Sequence, residues 1–174
     1  MNRILLVLVI MALSFTSMAQ EIPQKEVEKV LNEWHLAASN ADYDAYFSRM
    51  TDRSIFIGTD ATENWSNEAF KAFSKPYFDK GKAWEFEAVE RNVFFNEANN
   101  LAWFDELLDT WMGICRGSGV LQKDMSGNWK IAHYVLSIAV PNEHVDALLS
   151  IKKETDSVLT RKLRSNNKMM DHKK

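Results

Sequence analysis

The chain reads as an α+β fold, a cone in which N-terminal helices pack on a strongly bent antiparallel sheet. Three observations predict it. Apolar residues recur at helical spacing from Glu26 to about Ala41, and again from Ser66 to Tyr77. From Trp84 to Val140 the period falls to two, over four long segments joined by tight turns, the pattern of an antiparallel meander. Within the first of those segments Trp84, Phe86 and Ala88 share one parity, while Val89, Val93 and Phe95 share the other. That switch of phase near Ala88–Glu90 requires a bulge or a sharp bend.

The chain opens with Met1-Asn2-Arg3, an apolar run from Ile4 to Leu13, and the small-x-small stretch Ser17-Met18-Ala19 before Gln20. This is the pattern of a secretory signal peptide. It predicts cleavage near Ala19 and a periplasmic or secreted protein with no stable membrane insertion afterwards. A retained anchor is the alternative, but the run falls short of the roughly 20 residues a span needs. No cysteine stands at the cleavage point, so a lipid-modified N-terminus is not expected. The expected organisation is a signal peptide at 1–19, one α+β domain at 20–141, and a C-terminal helix with a polar basic tail at 142–174.

Val27, Val30, Leu31, Trp34, Ala38 and Ala41 form the buried stripe of the first helix, with His35 on its flank. A lone histidine there reads as a satisfied helix-edge residue. Asp42 is placed to cap a short second helix whose Tyr43, Tyr46 and Phe47 are packing residues. Ser54–Gly58 is a short strand, and Thr59–Trp65 a polar loop closing on an aromatic. Ser66 can cap the next helix, with Trp65 and Phe70 at hydrophobic-staple spacing and Pro76 and Gly81 marking its end. Leu101–Trp111, Ile114–Lys123 and Trp129–Val140 complete the sheet, and Pro141 ends it. Val145, Leu148, Leu149, Lys152 and Val158 can mark a last helix, and the basic stretch from Arg161 reads as a frayed end.

Composition narrows the function. The single cysteine, Cys115, excludes an intramolecular disulfide, so the fold must rest on its core, for which six Trp and ten Phe supply apolar area. A formal net charge of -3 gives no electrostatic case for nucleic acid. The four histidines, at 35, 133, 144 and 172, lack metal-ligand spacing, so no metal or cofactor is expected. Gly117 and Gly119 flank a serine within a strand and open no helix, which excludes a phosphate cradle or a nucleophile elbow.

The stretch Trp103-Phe104-Asp105-Glu106-Leu107-Leu108-Asp109-Thr110-Trp111 stands at the centre. Strand side chains alternate between faces, so Asp105 and Glu106 cannot both point inward. Whichever does needs a cation or donors. Arg116 and His133, on the two strands that follow, are the nearest in sequence.

Several segments form an ordered series: Gly58-Thr59-Asp60-x-x-Glu63-x-Trp65, Ala102-Trp103-Phe104-Asp105-Glu106, Arg116-Gly117-Ser118-Gly119-Val120-Leu121, Gly127-Asn128-Trp129-Lys130-Ile131 and His133-Tyr134-Val135-Leu136-Ser137. Together they resemble the SnoaL-like branch of the nuclear transport factor 2-like superfamily, over roughly Lys25 to Pro141. The resemblance implies a cone with a pocket between helices and sheet, and a homodimer formed sheet to sheet. It does not transmit an activity, because that superfamily holds cyclases, isomerases, dehydratases and purely binding modules.

On this reading Asp105 or Glu106, His133 and Asp60 are the candidate catalytic groups. Glu63, Trp65, Tyr77, Trp84, Trp103, Trp111 and Arg116 are the candidate ligand-binding residues. Apolar walls with a few placed polar groups describe a small-molecule site. Two functions follow: a module binding a small apolar or amphipathic molecule, or a cofactor-free isomerase, dehydratase or cyclase whose inward carboxylate has a raised pKa. A non-catalytic dimerisation module, its cone filled by its own aromatics, is the third. The bland alternative for the carboxylate is a buried pair with Arg116 holding the sheet in register.

Overall fold

A computed structural model describes residues 23–171, with side chains through 166. The expected signal peptide lies outside the described residues. The first unit, ending at Ile138, carries the cone.

Helix α1 runs over residues 23–39 and buries Val27, Leu31, Trp34 and Ala38, the stripe its 3.6-residue period demands. Helix α2 (Tyr43–Ser48) is capped by Asp42, whose side chain accepts from the Ala45 amide at 2.9 Å. Strand β1 (Met50–Ile57) leads to the short β2 (Asn64–Ser66), so the expected polar loop ends as a strand. Ser66 caps α3 (Asn67–Asp79), and Trp65 packs on Phe70 with ring centroids 5.7 Å apart, as the staple predicts. Pro76 corrects the expected boundary, because it sits inside α3. The helix ends instead at Gly81, whose φ of 69° lets its amide reach the Phe78 carbonyl while the Lys82 amide reaches that of Tyr77.

The meander follows as β3 (Glu87–Phe95), β4 (Leu101–Thr110), β5 (Gly113–Lys123) and β6 (Trp129–Ile138). Each pairs antiparallel with the next. Trp84 and Phe86 precede β3 rather than opening it. The sheet is mixed, because β1 lies parallel to β6 and gives the order β2-β1-β6-β5-β4-β3. The predicted phase switch is real: register slips between Ala88 and Glu90, and a second slip lies between Val120 and Leu121. These bulges bend the strands.

The core lies between the helices and the inner face of the sheet. Trp34 stacks on Tyr46 at 4.8 Å and meets Tyr134 edge-on at 4.7 Å, while Phe56 and Phe70 stack at 3.9 Å. Such aromatic pairs contribute roughly 0.5–1.5 kcal/mol each beyond the area they bury. Cys115 is fully buried, as a small apolar residue would be.

The second unit begins at Ala139. A single 3-10 turn (Asn142–His144) precedes α4, which runs over Val145–Asp171. The stretch from Arg161, expected to be frayed, is therefore helical to Asp171. Lys, Arg, Leu and Met make up seven of the eleven residues from Arg161 to Asp171, and these lose little rotamer freedom in a helix.

Candidate functional site

Alternation along β4 decides between the two carboxylates. Ala102, Phe104, Glu106 and Leu108 face the core, and Glu106 is about as buried as any residue in the chain. Asp105 faces the other way, where its carboxylate accepts from the Asn92 amide.

The groups that meet Glu106 are not the expected ones. Directly across the β3–β4 register stands Arg91, whose Nε donates to Glu106 Oε2 at 2.8 Å while Nη2 lies 2.7 Å from the same oxygen. The other oxygen, Oε1, takes His35 Nε2 at 2.9 Å and the Tyr134 hydroxyl at 3.1 Å. Arg91 Nη1 donates to Asn32 on α1 at 2.7 Å. On the opposite neighbour, β5, Glu106 faces Gly117, and a Cβ there would lie 2.4 Å from the Tyr134 hydroxyl and 2.9 Å from Glu106 Oε1. Only glycine leaves room for the pair.

Burial pushes the Glu106 carboxyl up, but the hydrogen bond and charge of His35 and the guanidinium of Arg91 outweigh it and hold it below the usual carboxylate value. An ionised carboxylate only accepts, so His35 Nε2 carries a proton. Burial, and then the charge of Glu106, push the Tyr134 hydroxyl well above its ordinary value, so it stays a donor.

Arg116 and His133 are corrected accordingly. Arg116 pairs with Leu107 in register and is exposed. His133 precedes the inward Tyr134, so its side chain leaves the sheet on the opposite face. Trp103 is on that outer face too, 44% exposed and stacked on Phe94 at 6.0 Å. The outer face thus collects Asp105, Arg116, His133 and Trp103, none of which meets Glu106.

A separate cavity of about 180 Å³ is lined by aromatic side chains of β1, β2, α3 and the neighbouring turns: Phe56, Trp65, Phe70, Phe73, Trp84, Phe86 and Trp111, with Met112, Leu136, Thr59 and Glu63. Three of the expected tryptophans are therefore brought together. Trp111 is 82% exposed and stands at the margin. Tyr77 lies outside the wall, behind Phe73 at 5.6 Å. Asp60 is exposed in the loop, accepting from the Thr62 amide and hydroxyl, and is likewise not part of the lining. Glu63 is the one expected carboxylate on the cavity wall. None of Glu106, His35, Arg91 or Tyr134 lines it. The link is Phe86, which belongs to the wall and meets the His35 ring edge-on at 6.4 Å.

A wider depression of about 630 Å³ shares Trp84 and Trp111 with the cavity. Its rim carries Glu85, Glu87 and Asp109 against the single ammonium of Lys82. Among the described residues no group of His, Cys, Asp and Glu is arranged to hold a metal ion.

The comparisons with known proteins agree with this fold. A model of the SnoaL-like domain matches residues 27–141, and the chain belongs to that family. A domain of unknown function with a cystatin-like fold from Nostoc punctiforme superposes with a TM-score of 0.60 at 17% identity, covering 84% of this chain and 98% of that one. An NTF2-like protein from Cytophaga hutchinsonii gives 0.57 at 15% identity, over 67% and 98%. A candidate ketosteroid isomerase from Parabacteroides distasonis gives 0.54 at 18%, over 66% and 86%. At these identities the likeness is one of fold. No curated protein matches the chain.

Proposed function

We propose that this SnoaL-like domain binds one small apolar or amphipathic molecule in the aromatic cavity. The observation that carries the reading is the cavity wall itself: seven aromatic side chains, from β1, β2, α3 and the neighbouring turns, converge on about 180 Å³, beside only two polar side chains, Thr59 and Glu63. An engineered apolar cavity of about 150 Å³ takes up benzene, so this volume suits a ligand of one ring or its equivalent. Drug-sized and larger ligands occupy roughly 300 Å³ or more. The cavity volume favours a one-ring ligand over a four-ring steroid, so the activity named for the Parabacteroides protein is not the one favoured here.

The enzyme alternative needs a carboxylate poised for proton transfer. Glu106 already accepts from donors on both oxygens, is held below its usual pKa and does not line the cavity. His133 is on the opposite face of the sheet. These facts support binding over general-base catalysis.

Titrating the mature protein with toluene, indole and phenol while following tryptophan emission tests the proposal. Saturable quenching or a spectral shift that weakens in Trp65→Leu supports it; an emission spectrum indifferent to the whole panel overturns it.

Two further expectations belong to the same proposal. The N-terminal pattern supports export. The outer sheet face, with the exposed pair Phe94 and Trp103 beside Asp105 and, on β5 opposite Leu107, Arg116, offers a second copy both an apolar strip and charges of either sign. Native mass spectrometry of protein recovered from its export route reads cleavage, dimer mass and retained ligand together.

A further inference from the structure

Resting on that binding reading, we infer that the cavity selects a compact organic cation, a quaternary or protonated amine with apolar substituents, over neutral molecules of the same shape. The lining holds one charged side chain, Glu63, and no cation. Glu63 Oε2 accepts from the Asp60 amide at 3.1 Å, which fixes the carboxylate. Its Oε1 has no hydrogen-bond or ion-pair partner among the described residues.

The local backbone is shaped for this carboxylate. The Gly58 amide donates to the Glu63 carbonyl at 3.0 Å and the Glu63 amide to the Asp60 carbonyl at 2.9 Å, so the loop folds back on itself. A Cβ on Gly58 would lie 2.2 Å from Glu63 Oε2. Glycine at 58 is what allows the carboxylate to lie against the end of β1, on the same cavity wall as Trp65 and Phe73, whose rings stack at 4.4 Å.

Aromatic faces attract a cation through their quadrupole, and Trp does so best. A neutral apolar ligand would cover the Glu63 carboxylate with no compensation, which disfavours it, whereas a cation meets the charge. The neighbouring depression strengthens the choice. Its three carboxylates against one ammonium make the approach across Trp84 and Trp111 negative, which concentrates cations.

The test uses two isosteres, choline and 3,3-dimethylbutan-1-ol, which differ in a nitrogen cation against a neutral carbon. Calorimetric titration of the full mature chain should give choline at least tenfold the affinity of the alcohol. Glu63→Gln, whose amide oxygen can still accept from Asp60, should weaken choline at least fivefold and leave the alcohol within twofold. Trp111→Leu keeps the margin apolar at an exposed position where folding is not at risk. It should weaken choline about threefold and spare the alcohol. If the alcohol binds as well as choline, or choline is unmoved by both substitutions, cation selection is overturned while cavity binding stands. If choline, the alcohol, toluene and indole all fail to bind, the cavity reading falls and this inference with it.

Discussion

Replacing Glu106 by Gln preserves the shape of the side chain and removes its charge. Arg91 then keeps a guanidinium whose side chain is only 9% exposed, with an amide oxygen in place of its counter-ion. Tyr134 and His35 lose a charged acceptor at the same time. Removing one member of a buried ion pair typically costs about 3–5 kcal/mol, most of it the penalty of the charge left behind. At roughly 2–4 °C per kcal/mol for a domain of this size, the melting temperature should fall by about 6–20 °C. Urea unfolding followed by circular dichroism gives the free energy, with the m-value checking that the unfolded state is unchanged. The double variant Glu106→Gln/Arg91→Met isolates the pair. It removes the orphaned charge, so its cost should fall short of the sum of the two single costs by at least about 1 kcal/mol. A Glu106→Gln loss below about 1 kcal/mol, or strict additivity, would refute the reading of Glu106 and Arg91 as a coupled buried ion pair.

Three other predictions follow from the same geometry. The Glu106 carboxyl lies below its ordinary value of 4.5 in the fold, so as pH falls past that value the unfolded chain takes up the proton first. Stability from this group is therefore complete above about pH 5 and lost as pH falls through the folded value; that part of the urea-stability profile should vanish in Glu106→Gln. Gly117→Ala puts a methyl 2.4 Å from the Tyr134 hydroxyl, and overpacking of this kind should cost about 1–3 kcal/mol in the same assay, whereas Gly81→Ala meets no atom within 4 Å and should show only the strain of its positive φ. Ser66→Ala removes the acceptor for the Ala69 amide at the start of α3 and should cost about 1 kcal/mol, measurable as a thermal shift.

Much of the fold was legible because local signals agreed with it. The caps at Asp42 and Ser66, the Trp65–Phe70 staple and the bulge near Ala88 each rest on residues a few positions apart. The parallel pairing of β1 with β6 joins residues about eighty positions apart, as in Phe56 and Tyr134, and no local pattern encodes it. The site divides in the same way. That only one of Asp105 and Glu106 could face inward followed from alternation, but which one did not, because Trp103 and Leu107 on one parity match Phe104 and Leu108 on the other. Its partners were sought on the strands that follow, while the cation came from the strand before. A signal did exist, since Arg91 shares the parity of Val93 and Phe95 past the bulge and so had to point inward. His35, four residues after Leu31, was equally placed at the core, and only long-range contact distinguishes a histidine that meets Glu106 from one at a helix edge.

The bulge in β3 has one more consequence. β3 is the last strand of the sheet, nine residues with a strand neighbour on one side only. A long, flat final strand is a template for adding a strand from another chain, the usual first step toward aggregation. The slip between Ala88 and Glu90 interrupts that template and twists it, and Glu87 and Glu90 add charge where a foreign strand would approach. The bulge that lets Ala88 and Arg91, three residues apart, both face inward therefore also guards the rim. A chain shortened by Val89 would keep Ala88 and Arg91 facing inward on plain alternation, opposite Leu108 and Glu106, but its margin would be left straight and open to self-association.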